Sequence, residues 1–183
     1  MSGSVLVLGN PVLREISSLV TDYTNNEIKN DILNLKNELE HFRKLNGFGR
    51  GIAAIQIGIK KRIIALNIGN GPFVIINPEF TFKSIETFTM WDDCMSLPDL
   101  LVRVERFKNI SIRYQDEDGF TKEWKEIDQE IAELIQHEID HLDGILAIDN
   151  AIAKTDIIYK DEYYKNKEKY DKMVEYQIKA TIK

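Results

Sequence analysis

The sequence predicts an α+β fold in one domain of 183 residues, with antiparallel sheets packed around a central helix and further helices toward the N- and C-termini. Three observations predict it. The hydrophobic period changes several times along the chain, from the spacing of helices to that of strands and back. β-branched runs gather in the middle of the chain. The composition, 43% hydrophobic and 30% charged with 10 Gly and 4 Pro, is that of a globular chain with a sizeable core, and this length fills one ordinary domain without room for a second. The core is expected over about residues 5–150 and a C-terminal helix over about 154–183.

Ile28, Ile32, Leu35, Leu39 and Phe42 recur at alternating four- and three-residue spacing after Asn25 and Asn26, which can cap, and the pattern stops at "NGFGRG". That is an amphipathic helix. Beyond the glycines, "KRIIALNI" and "PFVIINPEF" are β-branched runs interrupted by Gly69, Gly71 and Pro78, and they read as strands. "LVRVERFKNISIRYQ" and "FTKEWKEI" around "DEDG" read as two alternating strands and their turn. The central helix is expected from near Asp128, with Glu130 in its first turn, to Gly144. From Lys154 onward, eight Lys stand against six acids in a weak helical period, which predicts a slightly basic C-terminal helix with a solvated face.

Composition excludes several classes of function. A formal charge of −6 argues against generic or specific DNA binding by the whole surface. No segment approaches the roughly 20 apolar residues of a membrane span, and the N-terminal "MSGSVLVLGNPVLRE" lacks the basic start and long apolar stretch of a signal peptide. The single cysteine cannot form an intramolecular disulfide and fits a reducing compartment. A cytoplasmic location is expected.

The chemistry gathers in "HEIDH". His137 and His141 are four residues apart, so on a helix both rings reach one ion, with Glu138 beside them. At 100° per residue, Ile131, Leu134, Ile135 and Leu142 form the apolar stripe; the histidines lie at its edge and Glu138 within it. A carboxylate there is costly without a role. Burial raises its pKa, which suits a general base for an activated water. The plain alternative is a helix with two exposed histidines.

A catalytic site of this kind needs a third protein ligand. "HEIDHLDGILA" has Ala147 where an extended HExxHxxGxxH pattern has its last histidine. Glu162 is at a feasible separation. Cys94 in "WDDCMS" offers a soft sulfur for Zn²⁺ or Fe²⁺, although a lone cysteine is most often a small buried hydrophobe.

Three stretches together, "GRGIAAIQ" (Gly49 to Gln56), "DDCMS" (Asp92 to Ser96) and "QHEIDHLDG" (Gln136 to Gly144), resemble the three motifs of the peptide deformylase family, in its order and at about its separations. "VLVLGNPVLRE" and "VERFKNISIRYQDEDG" are similar to it too, so the resemblance spans about Val5 to Ile148. It implies a small α+β fold with the HExxH helix against antiparallel strands. It also implies one divalent cation, usually Fe²⁺ and replaceable by Zn²⁺, Ni²⁺ or Co²⁺, held by Cys94, His137 and His141. The implied reaction is hydrolysis of the N-formyl group from formyl-methionine of nascent polypeptides. In it Glu138 moves the proton, and Gln56 with the backbone N–H of Met95 stabilises the oxyanion. Gly49 and Gly51 allow an extended peptide to lie alongside their segment. The basic C-terminal helix is a candidate ribosome contact.

The second motif departs from the family's. Asp92 and Asp93 stand where Glu and Gly are usual, and Asp92 is expected to pair with Arg106. At Asp93 a positive φ would be tolerated by Asp better than by most residues, whereas a close substrate backbone would meet its side chain. Glu133, one turn before His137, either lines the pocket for the substrate side chain and makes it less apolar, or lies on the solvated edge. Two rivals to a deformylase are a metallo-amidohydrolase acting on another short acyl amide and a non-catalytic metal-binding interaction protein.

Overall fold

A computed structural model describes residues 5–178. Helix α1, Asn26–Asn46, begins where the Asn25 side chain accepts the Glu27 N–H at 2.8 Å, and it ends at Gly47, whose φ of 74° breaks the helix. The strands β1 (Gly51–Ala53), β2 (Ile63–Leu66) and β3 (Phe73–Lys83) come next. They are succeeded by β4 (Thr87–Asp93), β5 (Leu100–Phe107), β6 (Ile110–Gln115) and β7 (Thr121–Ile127). Helix α2, Gln129–Leu142, carries HEIDH, and the chain then forms β8 (Ile157–Tyr159), α3 (Lys160–Lys165) and α4 (Lys167–Asp171). The larger sheet has the order β1-β2-β3-β6-β7 and the smaller β4-β5-β8, with antiparallel pairing throughout.

The larger sheet is covered on both faces. Ile63 and Ala65 of β2 face Ile28, Ile32, Leu35 and Leu39 of α1, whereas Ile64 and Leu66 face Leu134, Ile135 and Ile139 of α2. With both sides apolar, β2 reads as an unbroken hydrophobic run rather than an alternation. In the smaller sheet, Met90, Val102 and Val104 turn toward Cys94 and Ala147, and Trp91 and Leu101 turn toward Tyr170 of α4. Helix α2 therefore lies between the sheet that carries Gly51 and the strand that leads to Cys94.

Three expectations need correction. "LVRVERFKNISIRYQ" is two strands in different sheets: the chain turns at Lys108 and Asn109, where Lys108 N–H donates to the Glu86 carbonyl, and crosses from β5 to β6. Alternation continues through the crossing, so periodicity could not register it. Pro78 does not end a strand but lies within β3, at a register shift between Ile76 and Glu79 beside Asn77 with its φ of 49°. The C-terminal helix is divided. Its first residues pair with β5 as β8, because Ile157 and Ile158 complete the small sheet, and two short helices come after; residues 179–183 of that expected helix lie outside the described residues. Among the described residues no helix is long and apolar enough to cross a membrane.

Candidate metal centre and active site

The HExxH spacing does on α2 what it implies. The His137 and His141 rings lie 4.9 Å apart between centroids, and their Nε2 atoms approach to 3.2 Å. Cys94, at the turn that ends β4, brings its Sγ to 3.2 Å from His141 Nε2. One ligand atom from each of Cys94, His137 and His141 lies within 4.8 Å of the other two, and all three residues are buried. Glu162, the rival third ligand, is on exposed α3, where its carboxylate accepts from Asn166 and the Tyr170 hydroxyl, and it is not part of this cluster.

The donor set fits a divalent cation. His137 Nδ1 is 3.0 Å from the Asp92 carboxylate, which fixes the ring and leaves Nε2 facing Cys94 and His141. A thiolate with two imidazoles is a soft-to-borderline set, suited to Fe²⁺, Zn²⁺, Ni²⁺ or Co²⁺ and not to Mg²⁺ or Ca²⁺. Three protein ligands leave a position for water or substrate. Glu138 Oε2 is buried with no hydrogen-bond partner among the described residues, a costly state for a carboxylate unless a water or substrate engages it.

Asp92 is the hub behind the ligands. It pairs with Arg106, as expected, at 2.8 Å, and Arg106 also holds Asp140. Burial would raise the Asp92 pKa, but the charges and hydrogen bonds of His137 and Arg106 overcome it and hold the carboxyl well below the usual range. Arg106 is held charged by Asp92 and Asp140 against the penalty of burial. Burial and the neighbouring His137 push His141 well down. Glu138, buried and flanked by the carboxylates of Asp92 and Glu133, is pushed up to about 7.

Gln56 is 1% exposed, and its orientation is fixed by the Ala53 N–H, which donates to Oε1 at 2.9 Å. Its Nε2 therefore points at Ser96 Oγ, 3.1 Å away, and lies 3.8 Å from Cys94 Sγ. The Met95 N–H has no protein partner among the described residues. Two glycines meet the site closely. A Cβ on Gly51 would lie 2.7 Å from Glu138 Oε1, and one on Gly49, where φ is 124°, would lie 3.0 Å from Phe42 and 3.2 Å from Met95.

At Asp93 and at Glu133, one of the two open readings falls away. Asp93 does not need a positive φ: it ends β4, pairs with Leu101, and its carboxylate lies 3.4 Å from Lys160. Glu133 is not on a solvated edge. It is 2% exposed and forms an ion pair with Arg50, whose Nη1 also donates to the Glu130 carbonyl at 3.0 Å. Burial pushes the Glu133 pKa up and the guanidinium opposes it. Arg50, Asp140 and Ser96 also contact the site and were not expected from the sequence. Only Arg50 carried a signal, a charge between the two glycines of an otherwise apolar segment; its partner is 83 residues away.

A Cys/His/His donor set on an HExxH helix, backed by a buried carboxylate and packed against antiparallel strands, defines a metal-dependent hydrolase. The model of the family "Polypeptide deformylase" matches residues 3–156. A peptide deformylase of Bartonella tribocorum is 39% identical over 176 residues, 91% of this chain and 94% of that relative. One of Thermotoga neapolitana is 38% identical over 146 residues, 79% and 84% of the two chains. Among solved structures, the Thermotoga maritima peptide deformylase has a TM-score of 0.76 at 35% identity, over 84% of this chain and 99% of that one. A Synechococcus elongatus peptide deformylase in complex with actinonin has 0.75 at 29%, over 83% and 80%.

The chain belongs to the polypeptide deformylase family. It is an enzyme, a metal-dependent hydrolase that deformylates peptides, and not the other amidohydrolase or the non-catalytic protein that its altered second motif left open.

Proposed function

We propose that this enzyme removes the N-formyl group from formyl-methionine at the start of nascent polypeptides, releasing formate, with Cys94, His137 and His141 holding Fe²⁺. When bound there, the cation supplies Lewis acidity, which activates water and polarises the formyl oxygen. Glu138 accepts a proton from the attacking water as its oxygen bonds to the formyl carbon. The carbonyl electron pair moves onto oxygen, where Gln56 Nε2 and the Met95 N–H donate to it. Glu138 then delivers the proton to the amide nitrogen, the C–N bond breaks, and formate leaves with a free amine. Gly49 and Gly51 leave room for the peptide, and Glu133 and Asp93 border it.

The observation that carries this reading is Glu138, whose buried Oε2 lacks a partner among the described residues and lies beside the converging Cys94, His137 and His141. In the cation-free chain burial raises the Glu138 pKa to about 7, and a bound cation would pull it back toward the ordinary carboxylate range, so that the group can take a proton near neutral pH. The supporting case for a cytoplasmic location is the free thiol of Cys94, which a reducing compartment preserves as a ligand. A ribosome contact is supported by the exposed lysines Lys165, Lys169 and Lys172 on or beside α3 and α4.

The test is metal analysis of anaerobically purified protein coupled to formate release from a formyl-Met peptide. The expected result is one Fe²⁺ per chain and formate released in step with iron content. Fully iron-loaded protein that releases no formate would overturn the division of roles.

A further inference from the structure

We infer that Lys160, set between the Asp93 carboxylate and the Phe48 ring, forms a cationic rim on the substrate groove that favours peptides with acidic rather than basic residues directly after the formylated one. The inference rests on the deformylase reading above and concerns the part of the peptide that leaves the buried site.

The fold fixes all three groups. Strand β5 pairs Leu101 with Asp93 of β4 and Leu100 with Tyr159 of β8, so Lys160, directly after Tyr159, emerges beside the turn that carries Cys94. The Lys160 N–H donates to the Asp99 carbonyl at 2.8 Å, and its Nζ lies 3.4 Å from the Asp93 carboxylate and 5.8 Å from the Phe48 ring centroid. Phe48 stands edge-on to Phe42 at 5.5 Å and precedes Gly49, where a Cβ would come within 3.2 Å of the Met95 side chain. Lys160 therefore spans from the Cys94 turn to the glycine segment, the two walls between which the peptide is proposed to lie.

These groups stand where the site opens to solvent. Cys94 and Gln56 are buried, whereas the side chains of Lys160 and Asp93 are 20% and 33% exposed and Phe48 is 37% exposed. An ion pair this open adds little to stability, so its charge matters chiefly to what passes it. Asp93 stands where Gly is usual in the family, and alone its carboxylate would repel acidic peptides and attract basic ones. Lys160 neutralises it. Among the described residues Asp93 is the one ion-pair partner of Lys160, and an ammonium has three donors. An acidic substrate side chain can take the remaining donors without displacing Asp93. A basic one must compete with Lys160 for Asp93 while meeting its like charge.

The experiment measures kcat/KM of the metal-loaded enzyme for three peptides with amidated C-termini: formyl-Met-Glu-Glu, formyl-Met-Gln-Gln and formyl-Met-Lys-Lys. In the wild type the Glu peptide is expected to exceed the Lys peptide by about two- to fivefold at low salt, a ratio that falls toward one as salt is raised to about 0.5 M. Lys160→Met uncovers Asp93 and should invert the ratio, Lys160→Arg should keep it, and Lys160→Met/Asp93→Gly should bring it near one. Each ratio is taken within one variant, so a general loss of folded or metal-loaded protein leaves it unmoved. Should the double variant fail to fold, Lys160→Met against Lys160→Arg decides. A ratio that is the same in wild type and Lys160→Met overturns the rim and leaves the deformylase reading intact. No formate from any of the three peptides overturns both.

Discussion

Asp92 shows how much one side chain can organise. It orients His137 through Nδ1, neutralises Arg106, and sits two residues before the Cys94 ligand. Asp92→Asn keeps the shape and removes the charge, so His137 becomes a poorer donor. Chelator competition should show metal affinity weakened by about 10- to 100-fold, and unchanged affinity would remove Asp92 from the site. Glu138 makes a different prediction, for the cation-free protein. Its folded carboxyl holds a proton up to about pH 7, whereas the unfolded one releases it near 4.5. The folded state therefore binds more protons between those values, and stability falls as pH rises through the window, on the order of 3 kcal/mol, then levels above it. Glu138→Gln should abolish that slope in thermal melts of the cation-free chain at pH 5 and 8.

At the scale of elements, the decisive relation is between β1 and α2. Strand β1 has only three residues, yet Gly51 brings its backbone against Glu138 while Ile52 packs toward α1 and Ala53 toward α2. A Cβ at Gly51 would also meet the terminal Cδ atoms of Leu134 and Leu66 at 3.0 Å, so both leucine side chains must shift to admit it. Gly51→Ala is expected to lower stability by about 1–3 kcal/mol and to reduce kcat/KM more than metal content, because the carboxylate is displaced while the ligands remain. Denaturant melts and metal analysis of the same preparation separate the two effects. Loss of metal in proportion to activity would mean that the strand positions the ligands instead.

At the scale of the whole molecule, residues 154–178 are part of the fold rather than an appended arm. Asp156 is buried and pairs with Arg103 at 2.8 Å, β8 extends the small sheet, and Trp91 Nε1 donates to the Tyr170 carbonyl at 2.9 Å. Removing residues after Lys154 would expose Trp91 and Leu101, which stand directly before and opposite the Asp92–Cys94 turn. The truncated chain should lose about 3 kcal/mol or more and show red-shifted Trp emission; an unshifted spectrum would count against this packing. A ribosome contact is for the same reason better probed by Lys165→Glu/Lys169→Glu/Lys172→Glu than by truncation. Weakened, salt-sensitive pelleting with ribosomes is expected from a correctly melting variant.

Local patterns in the chain were enough to establish the class of fold and the metal-binding chemistry. His137, Glu138 and His141 needed only the helical repeat to converge, and the α1 stripe and its Asn25 cap were readable because both are confined to neighbouring residues. The Asp92–Arg106 pair was legible only through the motif's resemblance. Packing settled the rest, since it depended on residues distant in the chain. It brought Cys94 rather than Glu162 beside the two histidines by packing the end of β4 against α2. It sent β5 and β6 to different sheets although their alternation ran on unbroken, and it drew the C-terminal residues into the small sheet against a weak helical period. It also buried Glu133 against Arg50, a pairing that neither period nor propensity encodes, because an ion pair between the approach to a strand and a helix exists only once both have packed.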